Sequence, residues 1–338
     1  MNTSLSQHSI ASFKKTLEKL TDRVFSGATF GMPMAPPYLE IVASVNRGKA
    51  VRLYKYQRCS DRNFEDVRLG RVHLCAPDAF NDIYDSRPYF DLPSIKQRMA
   101  HFITREGIAR VAAGQRAFVP PELRNLYDEA MTRHIANLDE DKANLIAATE
   151  EELYDRYNAF RGEINCACFS SDPTSSVMWG NYADNCRGFI AAYDIKADEV
   201  KCSCAYDECD RSSMVFSLCP VLYDGRFDMS ELSHVLMGSC TMIPYPTYDA
   251  YMTLLHATVH KGADWNYEKE WRLFTGTCGY ARGCSYAALV PSKLILGPKI
   301  GEREEGVVRE LGLYWGIPVQ RAVSSIESLE TSLRIVEL

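Results

Sequence analysis

The chain is short of several things that would announce a function. Across its 338 residues no apolar stretch nears the ~18 residues of a membrane-spanning helix. The segment Met1–Ser9 is mostly polar and leads into no apolar core of the ~7–15 residues that a secretory signal carries. Positive charge is not in surplus: Lys and Arg total 38 against 44 Asp and Glu, a net charge of −6. That balance argues against a DNA-wrapping or polybasic membrane protein. No internal repeat or low-complexity tract is visible. Leu296-Gly297-Pro298-Lys299-Ile300-Gly301 lacks the spacing and the Lys-Ser/Thr ending of a phosphate loop, and reads as a turn. These absences set the expectation of a cytoplasmic protein with no membrane partner and no strong nucleic-acid signal. What is present is ordinary for a globular protein, 46% hydrophobic and 24% charged.

Twelve cysteines are the unusual number, yet they fall well below the ~8–10% of a disulfide scaffold. In a reducing compartment they are expected as thiols. The densest group, Cys202, Cys204, Cys209 and Cys219, follows C-x-C-x4-C-x9-C and has no C-x2-C knuckle, so zinc is the lesser reading and no metal is expected. His256 and His260 lie four apart, but Ala257 stands where a zinc-protease helix carries Glu.

Periodicity sketches an α+β protein with mixed or antiparallel sheets around a central cleft. Ile10, Phe13, Leu17, Leu20 and Val24 give residues 9–24 a narrow apolar seam, which packs on its own domain or offers a helix-mediated partner contact. Gly and Pro then break the chain, so residues 1–48 read as a helical extension and 49–338 as one α+β domain. Val51–Tyr56 has strand alternation, with Arg52, Tyr54 and Tyr56 on one face, and Arg71–Cys75 reads as a second strand. Residues 92–160 turn helical and look like an insertion. Strands are expected at Ile164–Phe169, Phe189–Tyr193, Cys219–Tyr223, Glu270–Thr275 and Leu294–Leu296, with a short helix within Ser175–Asn185. The chain ends strand, helix, strand at Lys293–Gly297, Glu304–Tyr314 and Val319–Val323.

Six short islands carry the remaining signal. They are Leu53-Tyr54-Lys55-Tyr56; Phe80-Asn81-Asp82 with Asp85; Cys168-Phe169-Ser170; Met178-Trp179-Gly180-Asn181-Tyr182-Ala183; Tyr267-Glu268-Lys269-Glu270-Trp271-Arg272; and Ile295-Leu296-Gly297. Their order resembles a large bacterial family of unknown function whose members share Y-K-Y, F-N-D-x-x-D, C-F-S, W-x-x-Y-A, Y-E-x-E-W-R and a closing I-x-L-G. The resemblance spans residues 50–320.

Glu268 and Glu270 are the chemically strongest pair. Strand alternation would put both carboxylates on one face, and like charges so close raise the pKa of at least one. A Glu-x-Glu opening a strand, after a Ser at an earlier strand end, is similar to the mono-ADP-ribosyltransferase arrangement, which implies NAD as substrate. On that similarity Glu270 is the catalytic carboxylate, Glu268 its companion, and Ser170 orients the ribose. Tyr54 or Tyr56 takes the first-strand position, and Trp179 or Tyr182 supplies a stacking ring. The pattern departs from that superfamily in two places: Tyr54-Lys55-Tyr56 replaces the usual Arg or His, and Ser170-Ser171-Asp172 replaces Ser-Thr-Ser. The implied function is ADP-ribosyl transfer to an unknown acceptor, of toxin or defence type. Two other classes stand beside it. One is a metal-dependent hydrolase or nuclease on Asp82, Asp85, Glu268 and Glu270. The other is a non-catalytic nucleotide-binding or interaction module of a stress or phage-defence system, in which Arg52, Lys55 and Arg272 bind a phosphate or nucleotide without chemistry. On the purely structural reading Glu268 and Glu270 are solvated strand positions with Arg272 as ion-pair partner on the same face, and the tryptophans are core.

Overall fold

The computed structural model describes residues 11, 13–15, 50–204 apart from 103 and 118, 215–230, 257–276, 285–324 and 332–338. These form a mixed α+β architecture whose centre is an eight-stranded sheet in the order β11-β10-β9-β4-β1-β3-β7-β6. In chain order the strands are β1 (Val51–Gln57), β2 (Arg71–His73), β3 (Asn165–Ser170), β4 (Phe189–Ile195), β5 (Lys201–Cys202), β6 (Val215–Pro220), β7 (Glu270–Gly276), β8 (Tyr286–Ala288), β9 (Lys293–Leu296), β10 (Val319–Val323) and β11 (Arg334–Glu337). The helices are α1 (Asp61–Arg68), α2 (Leu92–Phe102), α3 (Arg105–Arg116), α4 (Arg124–Ala136), α5 (Leu138–Glu163), α6 (Ser176–Tyr182) and α7 (Glu302–Trp315). A small sheet, β2-β8-β5, accompanies the large one.

The chain forms two compact units, one of Met1–Arg87, Phe160–Arg226 and Thr247–Leu338, the other of Pro88–Ala159 and Phe227–Pro246. The helical insertion expected at 92–160 corresponds to α2–α5, and its unit also takes in chain beginning at Phe227, which no sequence signal marked. Within it, Ile95, Leu138, Leu153 and Tyr157 are buried, and Arg116 on α3 pairs with Asp128 on α4 at 2.8 Å.

Both sheets belong to the first unit. Every neighbouring pair in the large sheet is antiparallel except β9 and β10, which run parallel and are joined through α7. That helix starts after Gly301 with Glu302, Glu304 and Glu305 in its first turn, where the helix dipole favours negative charge. It stops at Gly316, whose φ of 63° glycine adopts without strain. Alternation puts Leu53, Ala167, Phe169, Ala191, Tyr193, Trp271 and Leu273 into one large core. On the other face Tyr56, Ile190 and Ile295 pack with Met178 and Trp179 of α6.

β1 and β3 share a single paired position, Tyr54 with Ser170, whereas β1 pairs with β4 along its whole length. The parting of β1 from β3 opens the cleft described below. Of the expected seam at 9–24, Phe13 is buried and Lys14 meets Asp224 of the same unit at 2.7 Å. No helix among the described residues is long and apolar enough to cross a membrane.

Gly188, between α6 and β4, lies so close to β1 that an added Cβ would fall 2.0 Å from the Gln57 carbonyl oxygen. Backbone cannot yield there as a flexible side chain would. Gly188→Ala is expected to destabilise the protein by about 2 kcal/mol or more, read as a lowered urea midpoint with an unchanged slope.

Candidate functional site

The cleft between β1 and β3 holds about 590 Å³. Three of the sequence islands meet at its side. In the first, the polypeptide enters a 3-10 turn over Ala263–Glu268, then places Lys269 in the left-handed region at φ 46° before β7 begins at Glu270. Glu268 is therefore outside the strand, contrary to the expected alternation of Glu268 and Glu270 along it. The kink at Lys269 brings the two carboxylates together by another route: both reach the ammonium of Lys261, Glu268 Oε2 at 2.6 Å and Glu270 Oε2 at 3.2 Å.

Arg272, two residues along β7, is completely buried. Its Nε donates to Glu270 Oε1 at 2.7 Å, and its two terminal nitrogens donate to Asp85 Oδ1 and Oδ2 at 2.8 and 2.7 Å. A further bond to the Thr258 carbonyl and a place under the Phe80 ring, 5.1 Å to its centroid, complete the surroundings of the guanidinium. The Phe80-Asn81-Asp82-x-x-Asp85 island thus supplies a cover and a counter-ion. Asp82 itself accepts from the Tyr84 amide and makes the turn. Asn81 donates to the hydroxyl of Tyr182, which donates to Glu268 Oε1.

The result is a buried set of three carboxylates, Asp85, Glu268 and Glu270, around two cations, Lys261 and Arg272. With all five ionised it carries one surplus negative charge. Burial works to raise the pKa of Glu270, but Arg272 and Lys261 outweigh it and hold the group at about 2. Burial and the neighbouring Glu270 raise the pKa of Glu268. Of the two glutamates, Glu268 is therefore the one whose proton returns first. Burial, together with the Glu268 contact, also raises the pKa of Tyr182 and keeps its hydroxyl a donor. Two carboxylates driven apart in this way are the usual mark of divided acid and base roles.

Tyr54, Tyr56, Ser170, Tyr182, Glu268 and Glu270 all line this cleft. Several of the residues named by the resemblance are also held by bonds within the protein. Trp179 is fully buried, its indole N–H donates to the Pro173 carbonyl at 2.9 Å, and its ring is unavailable for stacking on a ligand. Tyr56 is nearly buried, edge-on to Trp179, and its hydroxyl donates to the Asp172 carbonyl. The Ser170 hydroxyl donates to the Glu268 carbonyl at 2.6 Å and accepts from the Asp172 amide at 3.1 Å. With Lys269 paired to Asp172, this ties the end of β3 to the corner that presents Glu268. Ser170 is a clamp on the protein backbone, where a ribose ligand was expected. Half-exposed Tyr54 and Tyr182 are the rings that remain open to the cleft.

Lys261 had no signal in the sequence, standing in His260-Lys261-Gly262 seven residues before Glu268. The acidic residues gather partly as a metal site would require, but Lys261 and Arg272 occupy the space between them. Among the described residues no group of three or more His, Cys, Asp or Glu is arranged to hold a metal ion. Cys202 and Cys204 lie at the small sheet and buried Cys219 in β6, while Cys209 and His256 lie outside the described residues. His260 meets Asp224 at 2.6 Å.

Residues 178–273 match the model of a family described as a protein of unknown function (DUF2971). No curated protein and no solved structure matches the chain. The matched stretch contains Tyr182, Lys261, Glu268, Glu270 and Arg272, while Tyr54, Asp85 and Ser170 lie before or outside it.

Removing one partner from a buried ion network leaves the others uncompensated, which costs about 3–5 kcal/mol. Arg272→Met is expected to lose that much, and Arg272→Met with Asp85→Leu and Glu270→Leu to recover most of it, both read by chemical denaturation. Stability should also follow pH in two opposed steps. Glu270, held low, stabilises the fold fully above its ordinary value of 4.5 and loses that contribution as pH falls toward about 2. Glu268, held high, costs stability while ionised and returns it on protonation. In urea titrations Glu270→Gln should abolish the acid-side loss, and Glu268→Gln the gain that precedes it.

Proposed function

We propose that the chain uses NAD as a substrate and transfers its ADP-ribosyl group, in a cleft and fold of ADP-ribosyltransferase type. The observation that carries this reading is the placement of Glu268 on the cleft lining, its carboxylate held between the Lys261 ammonium and the Tyr182 hydroxyl. Breaking the bond between the ribose anomeric carbon and the nicotinamide nitrogen sends the bonding pair to nicotinamide and leaves positive charge on the sugar. A fixed carboxylate in a site withdrawn from water favours that charge strongly. The volume of about 590 Å³ suits a ligand of this class, within the range of ~300–1,000 Å³ usual for such sites.

The roles follow from the hydrogen bonds. Glu270 has both oxygens committed to Arg272 and Lys261, so it serves to hold those cations. Glu268 takes one bond on each oxygen and keeps acceptor capacity for a sugar hydroxyl or for the proton of an incoming nucleophile. Tyr182, itself held by Asn81, fixes the carboxylate in place. Tyr54 and Tyr182 offer ring faces to the nicotinamide. This exchanges the parts the resemblance gave the two glutamates: Glu268 acts on the substrate and Glu270 positions its neighbours. The acceptor is a group that attacks the anomeric carbon and surrenders a proton to Glu268, either water or a macromolecular side chain.

Incubation with NAD should release nicotinamide, measured by chromatography. Glu268→Gln should lower that release by about 10²–10³-fold while the melting temperature stays at or above that of the wild type. Full nicotinamide release by Glu268→Gln, or none from the wild-type chain, would overturn the reading.

A further inference from the structure

A second part of the cleft lining has the opposite charge. Lys55 from β1, Arg58 just beyond it, Arg62 in the first turn of α1, and Arg71 and His73 from β2 all face the same space. Asp66 matches Arg71 at 2.7 Å, and the Tyr286 ring covers that guanidinium at 4.1 Å. Lys55 donates to the Cys168 carbonyl at 3.2 Å and lies over the Phe169 ring. Among the described residues no carboxylate pairs with Lys55, Arg58 or Arg62. The crowding is felt by His73, whose pKa is lowered by burial and then by Arg62, Lys55 and Arg71.

Three cations gathered without counter-ions repel one another, and a protein of net charge −6 has carboxylates enough to pair them. Their position inside a cleft, where walls of low polarizability strengthen the field, favours an anion arriving from solution. The local backbone is organised around them. The Asn63 amide donates to the Arg58 carbonyl at 2.9 Å, and Ser60 caps α1 through the Asn63 N–H. Two guanidiniums and an ammonium on separate elements suit an anion with several oxygens spread over more than one centre. A single carboxylate would satisfy one of them.

We propose that Lys55, Arg58 and Arg62 form a subsite for the phosphate groups of a nucleotide. The subsite does not depend on the reaction proposed above, because it stands on the unpaired cations alone. If both hold, the pyrophosphate of the substrate lies along this wall and the ribose to be cleaved lies at Glu268.

Calorimetric titration with ADP, inorganic pyrophosphate and adenosine tests the assignment on the full chain. ADP should bind more tightly than pyrophosphate, and adenosine at least about tenfold more weakly than ADP. Arg58→Ala and Arg62→Ala, both at exposed side chains, should each weaken ADP about tenfold while leaving adenosine unchanged. Arg68→Ala, on the same helix but outside the cleft lining, should bind ADP as the wild type does. ADP binding no tighter than adenosine, or indifferent to both cleft arginines, would overturn the subsite. Pyrophosphate binding as tight as ADP would overturn the nucleotide assignment. Glu268→Gln should retain full ADP affinity. Arginine-dependent ADP binding by a chain that releases no nicotinamide would leave the subsite standing and remove the reaction.

Discussion

The buried guanidinium of Arg272 is the constraint around which the site is built. It pairs with both Asp85 and Glu270 at that depth, and without it Lys261 would lack the ordered carboxylates that fix its ammonium. The order of dependence runs from Arg272 to Glu270, from Glu270 to Lys261, and from Lys261 to Glu268 at the cleft surface. An apolar cluster of equal volume would often stabilise a fold as well or better. Stability alone therefore does not account for five charges at this place. A carboxylate, that of Glu268, held rigidly on the cleft lining is what the arrangement achieves.

The same cleft is electrostatically two-sided. Carboxylates in excess border one part and unpaired cations border another, in a chain whose overall charge is mildly acidic. Neither feature would persist as a by-product of packing, since like charges near one another raise the energy of the folded state. A ligand carrying both negative phosphates and a centre of positive charge answers both at once. The parting of β1 from β3 after one paired position makes room for it.

Much of the sheet was legible, because buried strands such as Phe189–Ile195 and the closing strand–helix–strand at 293–323 follow simple patterns of period and punctuation. The short elements were not. β5 and β8 span two and three residues, too few for any period, and α1 mixes polar and apolar positions closely. In the site, Glu268 and Glu270 were visible as a pair, but for a reason the structure replaced: the left-handed Lys269 joins them, and strand alternation does not. Trp179, Tyr56 and Ser170 were marked by residue type and motif, and each has its polar group bonded to the protein backbone, which no motif indicated. Their hydroxyls and indole N–H had to find partners once buried, and those partners lie in distant or unpatterned chain.

The amino-acid sequence by itself determined the α+β class, the order of the main strands and the islands that supply much of the cleft lining. These depend on local periodicity and on residue type, which are properties of a few consecutive positions. Tertiary structure alone decided which of those residues meet. Lys261 joins Glu268 and Glu270 through the turn that separates them, and Asp85 reaches Arg272 across 187 positions. Charge interactions depend on distance in space and on the water excluded between the groups. No count along the chain contains either quantity.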